Sequence, residues 1–527
     1  MTTQQIEHQN RPVSVSWPLV ALVAGWLVVL AEAAATVAFA PTIYDEGGYL
    51  YEGWLVCARG WRPYQDFHTK VTPLLYYFYG LPQALFGPDL LLGRVQAAAT
   101  ALTALALGSL AAEKTCGLRA AALVPWLFAA TVAGLDQHFR ALAISPCALW
   151  TALALVGIAW SDRKWGPWLT GAGAGLLLLT RHDLVGLAAG LLFGAWLAGR
   201  GSGLLKSVAG AAVVFAVGLA PFLARAPQAV LNVLTLGKVP GSAVPGPRPF
   251  ARTEPLTLGN LPWYVKFLAR AYFSPGLSLI AAACLGLAKR RPSGPNSLSR
   301  NAVAGAGLAA AAGNLAVRGM ATALTGSNAF YLRDFYIELP LLVSGAAFFA
   351  RAYEALSEAN QRRAAAAVAV LAIVLGPLVF KPHTGFRAQY PPVPAAVAEA
   401  GRFIAAHTQP DDRIFTIADP HVFLAAGRTL LPHLTHHMFM YAPQATREQL
   451  KGSWCFNLET LMDMLRNHAT VAVLTERGMG WLEHNERTSI GQQVGAAIRA
   501  ELKRRWQLVA SSQSPFEGRI EIYRRTR

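Results

Sequence analysis

Asp45 and Glu46 stand side by side in a stretch, residues 41–80, that also holds Tyr44, Tyr49, Tyr51, Tyr64, Asp66 and Lys70. Paired carboxylates beside a lysine suit a reaction in which an acid takes a proton from a hydroxyl and a cation steadies a departing phosphate. Neighbours in sequence point in different directions, so the two acids need not share one role. The plain alternative is a wet loop whose tyrosines form a belt at the membrane surface. A belt accounts for the tyrosines but leaves the paired acids and the lysine without a purpose.

Other ionisable residues fall at the ends of apolar segments. Asp136, His138 and Arg140 lie between the third and fourth; Arg181, His182 and Asp183 lie between the fifth and sixth. Arg94 opens the second segment, and Arg333 with Asp334 opens the tenth. Charges this close to hydrocarbon are unfavourable unless they snorkel, pair or line a wet cavity. Any one of them could snorkel; four outer loops carrying such groups together favour a shared polar cavity. Arginine suits phosphate because its planar fork binds two oxygens at once, which makes Arg94 and Arg181 candidates. Glu32 sits inside the first apolar segment, facing either the bundle near Asp45 or another span. His433, His436 and His437 form an H-x-x-H-H group with no nearby cysteine or paired acid, so no metal ligand is assigned there.

These residues need elements to hold them, and composition says which. The chain has 527 residues, 54% apolar and 14% charged, with positive mean hydropathy. That excludes an ordinary soluble domain and predicts a polytopic α-helical membrane protein. Eleven spans are expected, at 17–40, 91–112, 120–135, 141–160, 167–180, 184–199, 207–224, 272–288, 302–322, 335–350 and 364–380. Residues 74–86 are too short and proline-interrupted to span and read as a helix at the surface. Ala38-Phe39-Ala40 mimics a signal-cleavage site, but Pro41 follows, so the first span is retained. The net charge of +17 reflects Lys and Arg between spans, which topology and lipid headgroups explain without nucleic acid. Basic residues are about twice as dense in the loops on the N-terminal side, which predicts a cytoplasmic N-terminus. Eleven spans then put the C-terminus outside. The five cysteines are scattered and form neither a disulfide framework nor a metal set.

Two outer segments remain. Residues 225–271 carry a Pro- and Gly-rich run at 238–249 and then an amphipathic stretch at 261–270, as fits either a lid or a plain connector. From residue 385 the composition changes: a Pro-rich linker leads to a helix at 395–407 and strands at 413–418, 470–475, 506–510 and 519–523. The expected organisation is a transmembrane domain, 1–384, with its first outer loop at 41–90, followed by a soluble extracytoplasmic α/β domain, 385–527. The latter has no glycine-rich nucleotide fingerprint.

Three motifs carry a family likeness. They are Asp45-Glu46-Gly47-Gly48-Tyr49, then Gly60-Trp61-Arg62-Pro63-Tyr64-Gln65-Asp66-Phe67, then Lys70-Val71-Thr72-Pro73-Leu74-Leu75-Tyr76-Tyr77. This run resembles the first outer loop of the GT-C glycosyltransferases, in particular the protein mannosyltransferase and lipid A aminoarabinose transferase groups. Those read D-E-x-x-Y, G-x-x-x-Y-x-D-F and K-P-P-L-x-Y. Here Thr72-Pro73 stands for Pro-Pro, and Thr69 stands where some relatives have a metal-binding glutamate. No cofactor is therefore assigned, and a divalent metal is left open.

The resemblance implies a GT-C-like membrane fold of the cell inner membrane. It implies a hexosyl- or pentosyltransferase that moves a sugar from a polyprenyl-phosphate donor to a lipid, glycan or protein acceptor on the outer face. Asp45 takes the place of the family's base, Glu46 supports it, and Asp136 is nearest to the second acid. Lys70 and Arg333 join Arg94 and Arg181 as the expected phosphate set. Tyr44, Tyr49, Tyr64, Asp66 and His138 are the expected sugar- and acceptor-facing set. The rivals are a flippase for a lipid-linked glycan and a non-catalytic binding protein that kept the fold. A transporter is expected to show an internal repeat, and none is visible in this sequence.

Overall fold

The computed structural model describes residues 16–67, 69, 71–129, 135–199, 201–234, 297–325, 334–354, 356, 359–361, 363, 392–435, 446–450, 456–484 and 489–526. The chain is a polytopic helical membrane protein. Three helices are long and apolar enough to cross a bilayer: α1 (Trp17–Phe39), α4 (Leu90–Cys116) and α10 (Ser202–Arg225). Shorter helices occupy the other expected segments: α5 (Leu118–Ala129), α7 (Ile144–Ala159), α8 (Gly166–Thr180), α9 (Val185–Gly199), α12 (Ser297–Thr325) and α13 (Glu338–Glu354). The expected spans at 272–288 and 364–380, and the segments at 238–249 and 261–270, lie outside the described residues.

Helix α1 shows how composition becomes placement. It is apolar all round, so water cannot be its neighbour. One stripe, including Gly25, Val29, Glu32 and Ala33, is buried, while Trp17, Val23, Leu27 and Leu30 face outward, where lipid would be. Glu32 is buried within the protein and not turned toward lipid.

Small residues set the closest helix contact. Gly186, Gly190 and Gly194 recur every four residues on α9 and lie against α12. A Cβ on Gly186 would fall 2.1 Å from the Gly313 carbonyl oxygen, and one on Gly190 would fall 2.3 Å from the Ala310 backbone. The backbones touch because nothing larger stands between them, as is common where helices pack without a hydrophobic drive.

The stretch at 41–90 holds the helix expected at 74–86, α3 (Leu74–Phe86), and departs from the loop reading at α2 (Tyr44–Arg59), which is buried from Glu46 to Val56. Gly47, Gly48 and Gly53 argue against a helix by propensity. Tertiary packing overrides that preference. A Cβ on Gly53 would lie 2.7 Å from the Tyr76 carbonyl, and one on Gly47 would lie 2.9 Å from the His421 nitrogen. Gly60, at φ 71°, closes the helix in the left-handed conformation.

From Val393 the chain forms α14 (Val393–His407), α15 (Pro420–Ala426), α16 (Leu458–Asp463), α17 (Glu476–His484) and α18 (Ser489–Arg505) around a sheet. Its strands are β1 (Ile414–Thr416), β2 (Val471–Thr475), β3 (Trp506–Ser514) and β4 (Gly518–Arg525), in the order β1-β2-β4-β3. β1 pairs parallel to β2; the other pairings are antiparallel. Both the edge strand β1 and its parallel neighbour β2 are buried along their whole length, as suits parallel strands covered on both faces.

Candidate active site

The site is built on the first turn of α2. Ile43 leads into it with extended backbone, and Asp45 and Glu46 follow at once. Successive helical residues are turned by about 100°, so the two acids diverge. Asp45 is partly exposed and Glu46 is fully buried.

Glu46 meets Arg94 on α4. Arg94 Nε and Nη2 donate to Oε1 and Oε2 of Glu46, each at 2.9 Å, and neither side chain has any exposure. Arg94 Nη1 reaches the Val37 carbonyl at 3.3 Å, and the Ala141 amide donates to Glu46 Oε1 at 3.2 Å. A buried charge is tolerable only when paired and hydrogen-bonded on this scale. Burial alone would raise the Glu46 carboxyl; Arg94, with Arg140 and the Ala141 amide, outweighs it and holds the group below its ordinary range. The position of Arg94 is itself fixed from the start of α4. Asp89 caps the Leu91 amide at 3.0 Å, and Gln83 holds Asp89 through both its amide and its carbonyl.

A second charged group lies alongside. Arg181 Nε and Nη2 donate to Oδ1 and Oδ2 of Asp183 at 2.8 and 2.6 Å, and Nη1 donates to the Tyr336 hydroxyl at 3.3 Å. The guanidinium also stacks over the Tyr336 ring, 5.4 Å from its centroid. Tyr79 links the two groups, since its hydroxyl feels both Glu46 and Tyr336 while donating to the Leu142 carbonyl at 2.6 Å. Arg140 donates to the Pro41 carbonyl just before α2. His138 pairs with Glu338 at 3.1 Å, with Phe128 against its ring. Charged residues from separate connections between helices thus meet near the start of α2.

Several expected residues take other places. Arg94 was expected on a phosphate, but its fork is occupied by Glu46 and Val37. Asp66 accepts from the Arg62 amide at 2.7 Å and from its Nε at 3.3 Å, which closes a turn. Tyr64 stands at φ 71° with its hydroxyl on the Val71 carbonyl at 3.3 Å, where it shapes the connection between α2 and α3. Tyr49 is buried beside Arg181, and Tyr44 is half-buried in the first turn. Asp136 belongs to the short helix α6 (Leu135–His138), its side chain outside the described set. Lys70 and Arg333 also lie outside the described residues.

The roof of the site comes from the C-terminal part of the chain. The Tyr51 hydroxyl accepts from the Leu430 amide at 2.7 Å and donates to the Arg428 carbonyl at 3.1 Å. Arg477 donates to the hydroxyl and the carbonyl oxygen of Thr42 at 3.2 and 3.1 Å. Nothing in the sequence pointed to these pairs, nor to Tyr336 or Glu338 as partners. Asp419, His421 and Glu517 also gather there, behind Gly47, and offer the donor types a divalent metal takes.

Against known structures, the chain is similar to ArnT from Cupriavidus metallidurans. The crystal structure bound to undecaprenyl phosphate aligns over 96% of this chain and 98% of that one, at TM-score 0.60 and 12% identity. The apo structure aligns over 96% and 97%, at TM-score 0.60 and 14% identity. The chain shares the fold of these structures over nearly its whole length. A weaker likeness is to the oligosaccharyltransferase AglB from Archaeoglobus fulgidus in complex with an inhibitory peptide and a dolichol-phosphate: TM-score 0.48, 14% identity, 96% of this chain and 74% of that one. No protein-family model matches the chain, and no curated protein does. In this chain α2 packs against α15 of the C-terminal part, and Tyr51 binds the turn that follows it.

Proposed function

We propose that this chain is an integral membrane glycosyltransferase that moves a sugar from a polyprenyl-phosphate carrier to an acceptor hydroxyl or amine at the extracytoplasmic face. The observation that supports it most is the end-to-end likeness to ArnT in its undecaprenyl phosphate complex, joined to an acid at the head of a buried helix. In the step itself, the acceptor oxygen or nitrogen forms a bond to the anomeric carbon. The bond from that carbon to the phosphate oxygen breaks, and polyprenyl phosphate leaves with the electron pair. Asp45 takes the acceptor's proton. Its neighbour Glu46 is locked to Arg94, so its task is to hold the turn that presents Asp45. Cations bear on the leaving phosphate, with Lys70 and Arg333 the candidates, and Asp136 a second acid; Arg181, like Arg94, has its fork on a carboxylate. Tyr44, Tyr49 and His138 are the candidates for sugar contact.

The reading places the N-terminus in the cytoplasm, eleven spans within residues 1–384, and a soluble unit, 385–527, outside the inner membrane. The sugar is a hexose or pentose, and the acceptor a lipid, glycan or protein. The test is direct. Purified protein in lipid nanodiscs is given radiolabelled polyprenyl-phosphate sugars and candidate acceptors, and free polyprenyl phosphate is measured. Release that depends on the acceptor supports the reading. Movement of an intact lipid-linked sugar across a vesicle bilayer without release would favour a flippase.

A further inference from the structure

Among the described residues, Asp419, His421 and Glu517 bring three ligand-type atoms within 4.8 Å of one another. They lie in the C-terminal part, apart from the Glu46–Arg94 and Arg181–Asp183 pairs. His421 is fully buried, and its Nε2 lies 3.0 Å from Glu517 Oε1. A carboxylate accepts, so Nε2 is the nitrogen committed to Glu517, and Nδ1 is the one turned toward the rest of the cluster. Nδ1 is buried and makes no hydrogen bond, and it faces Asp419 Oδ2 at 3.9 Å. That is too long for a hydrogen bond. A buried ring nitrogen with no hydrogen bond, held this far from a carboxylate oxygen, leaves a polar gap that a cation would fill.

Arg477 supplies part of that charge, with Nη2 3.4 Å from Asp419 Oδ2. Its other commitments hold it to one side: both terminal nitrogens bind Thr42, and the guanidinium stacks on Phe516 at 3.9 Å. His421 Nδ1 makes no hydrogen bond to it.

We propose that this cluster is a divalent transition-metal site of the zinc or manganese class. His421 Nδ1 and Asp419 Oδ2 are the ligands, and Glu517 is the carboxylate that orients the imidazole through its other nitrogen. A histidine ligand fixed by a carboxylate on its far nitrogen is the usual arrangement around such ions. Metal–ligand distances of about 2.0–2.2 Å put tetrahedral ligand atoms about 3.4 Å apart, so the observed gap closes by about half an ångström on binding. The Asp419 side chain is 14% exposed, which leaves an open edge for water to fill the remaining positions. The ion fastens the seat of α2, since the His421 backbone abuts Gly47 and Arg477 grips Thr42, three residues before Asp45.

The test uses the full-length protein in detergent, stripped with EDTA and dialysed. Titration calorimetry with Zn²⁺ and Mn²⁺ is combined with metal analysis and thermal unfolding. The expected result is a single tight equivalent of one of the two ions and a Tm raised by several degrees. Both effects are lost in Asp419→Asn and in His421→Asn. Asp419 lies at the partly exposed edge, so its variant keeps the test decisive if the His421 variant fails to fold. No uptake and no Tm shift with either ion overturns the proposal. So does uptake that Asp419→Asn leaves unchanged, since that would assign the ion to other histidines. Neither outcome bears on whether polyprenyl phosphate is released, so the two readings fail separately.

Discussion

Glu46 and Arg94 form a two-bond ion pair, 2.9 Å on each side, with no exposure on either partner. The pair ties the first turn of α2 to the start of α4. It also separates the roles of the two adjacent acids, because Glu46 is consumed in holding the turn that Asp45 occupies.

Removing one member leaves a buried charge alone. Arg94→Met with Glu46 intact is expected to destabilise by about 3–5 kcal/mol. The double variant Arg94→Met/Glu46→Leu is expected to recover most of that loss, since two apolar side chains leave no orphan charge. Thermal unfolding in detergent reads this. If Arg94→Met instead kept its Tm and lost only donor affinity, the residue would belong to the phosphate site after all.

The same pair sets a pH dependence. The folded Glu46 carboxyl lies below its ordinary value of 4.5, with burial opposing and Arg94 prevailing. A depressed acid contributes stability that is fully present above the unfolded value and is lost as pH falls through the folded one. This contribution to Tm should therefore stay level from neutrality to about pH 5 and decline only below 4.5. Glu46→Gln should lower Tm at neutral pH and remove this part of the acid-side slope. A slope between pH 6 and 8 that Glu46→Gln abolishes would contradict the assignment.

Tyr51 is the corresponding tie on the other side of α2. Phenylalanine in its place leaves the Leu430 amide and the Arg428 carbonyl without their partner. A loss of about 1–3 kcal/mol is expected. It should be felt at the contact between α2 and the C-terminal sheet, as faster hydrogen exchange at the Leu430 amide. Unchanged protection there would mean that the hydroxyl contributes nothing to the contact.

Much of the helix layout was legible because a bilayer demands long apolar runs, and runs such as 17–40 and 91–112 stand out unaided. The strands at 471–475 and 518–525 were legible as short β-rich stretches, expected at 470–475 and 519–523, but their antiparallel pairing was not. Helix α2 was not. Its three glycines weaken the helical signal, and the reason for Gly47 and Gly53 is visible only once His421 and Gly80 lie against them. The neighbourhood of the candidate site was half legible. Arg181 and Asp183 are two residues apart and could be read together. Arg94 lies 48 residues from Glu46, and Leu430 lies 379 from Tyr51. Periodicity and spacing carry no information at that range, so Arg94 read as an open phosphate ligand and Tyr51 as one more aromatic.

The central claim is that Asp45 is the base in a transfer from polyprenyl phosphate. The measurement that tests it most directly is the rate of polyprenyl phosphate release by Asp45→Asn beside the wild type, with donor affinity and Tm measured on the same samples. The account predicts a fall in turnover of about 10²- to 10⁴-fold, with donor affinity and Tm close to wild type. Wild-type turnover in Asp45→Asn would contradict it and leave Asp136 as the remaining acid.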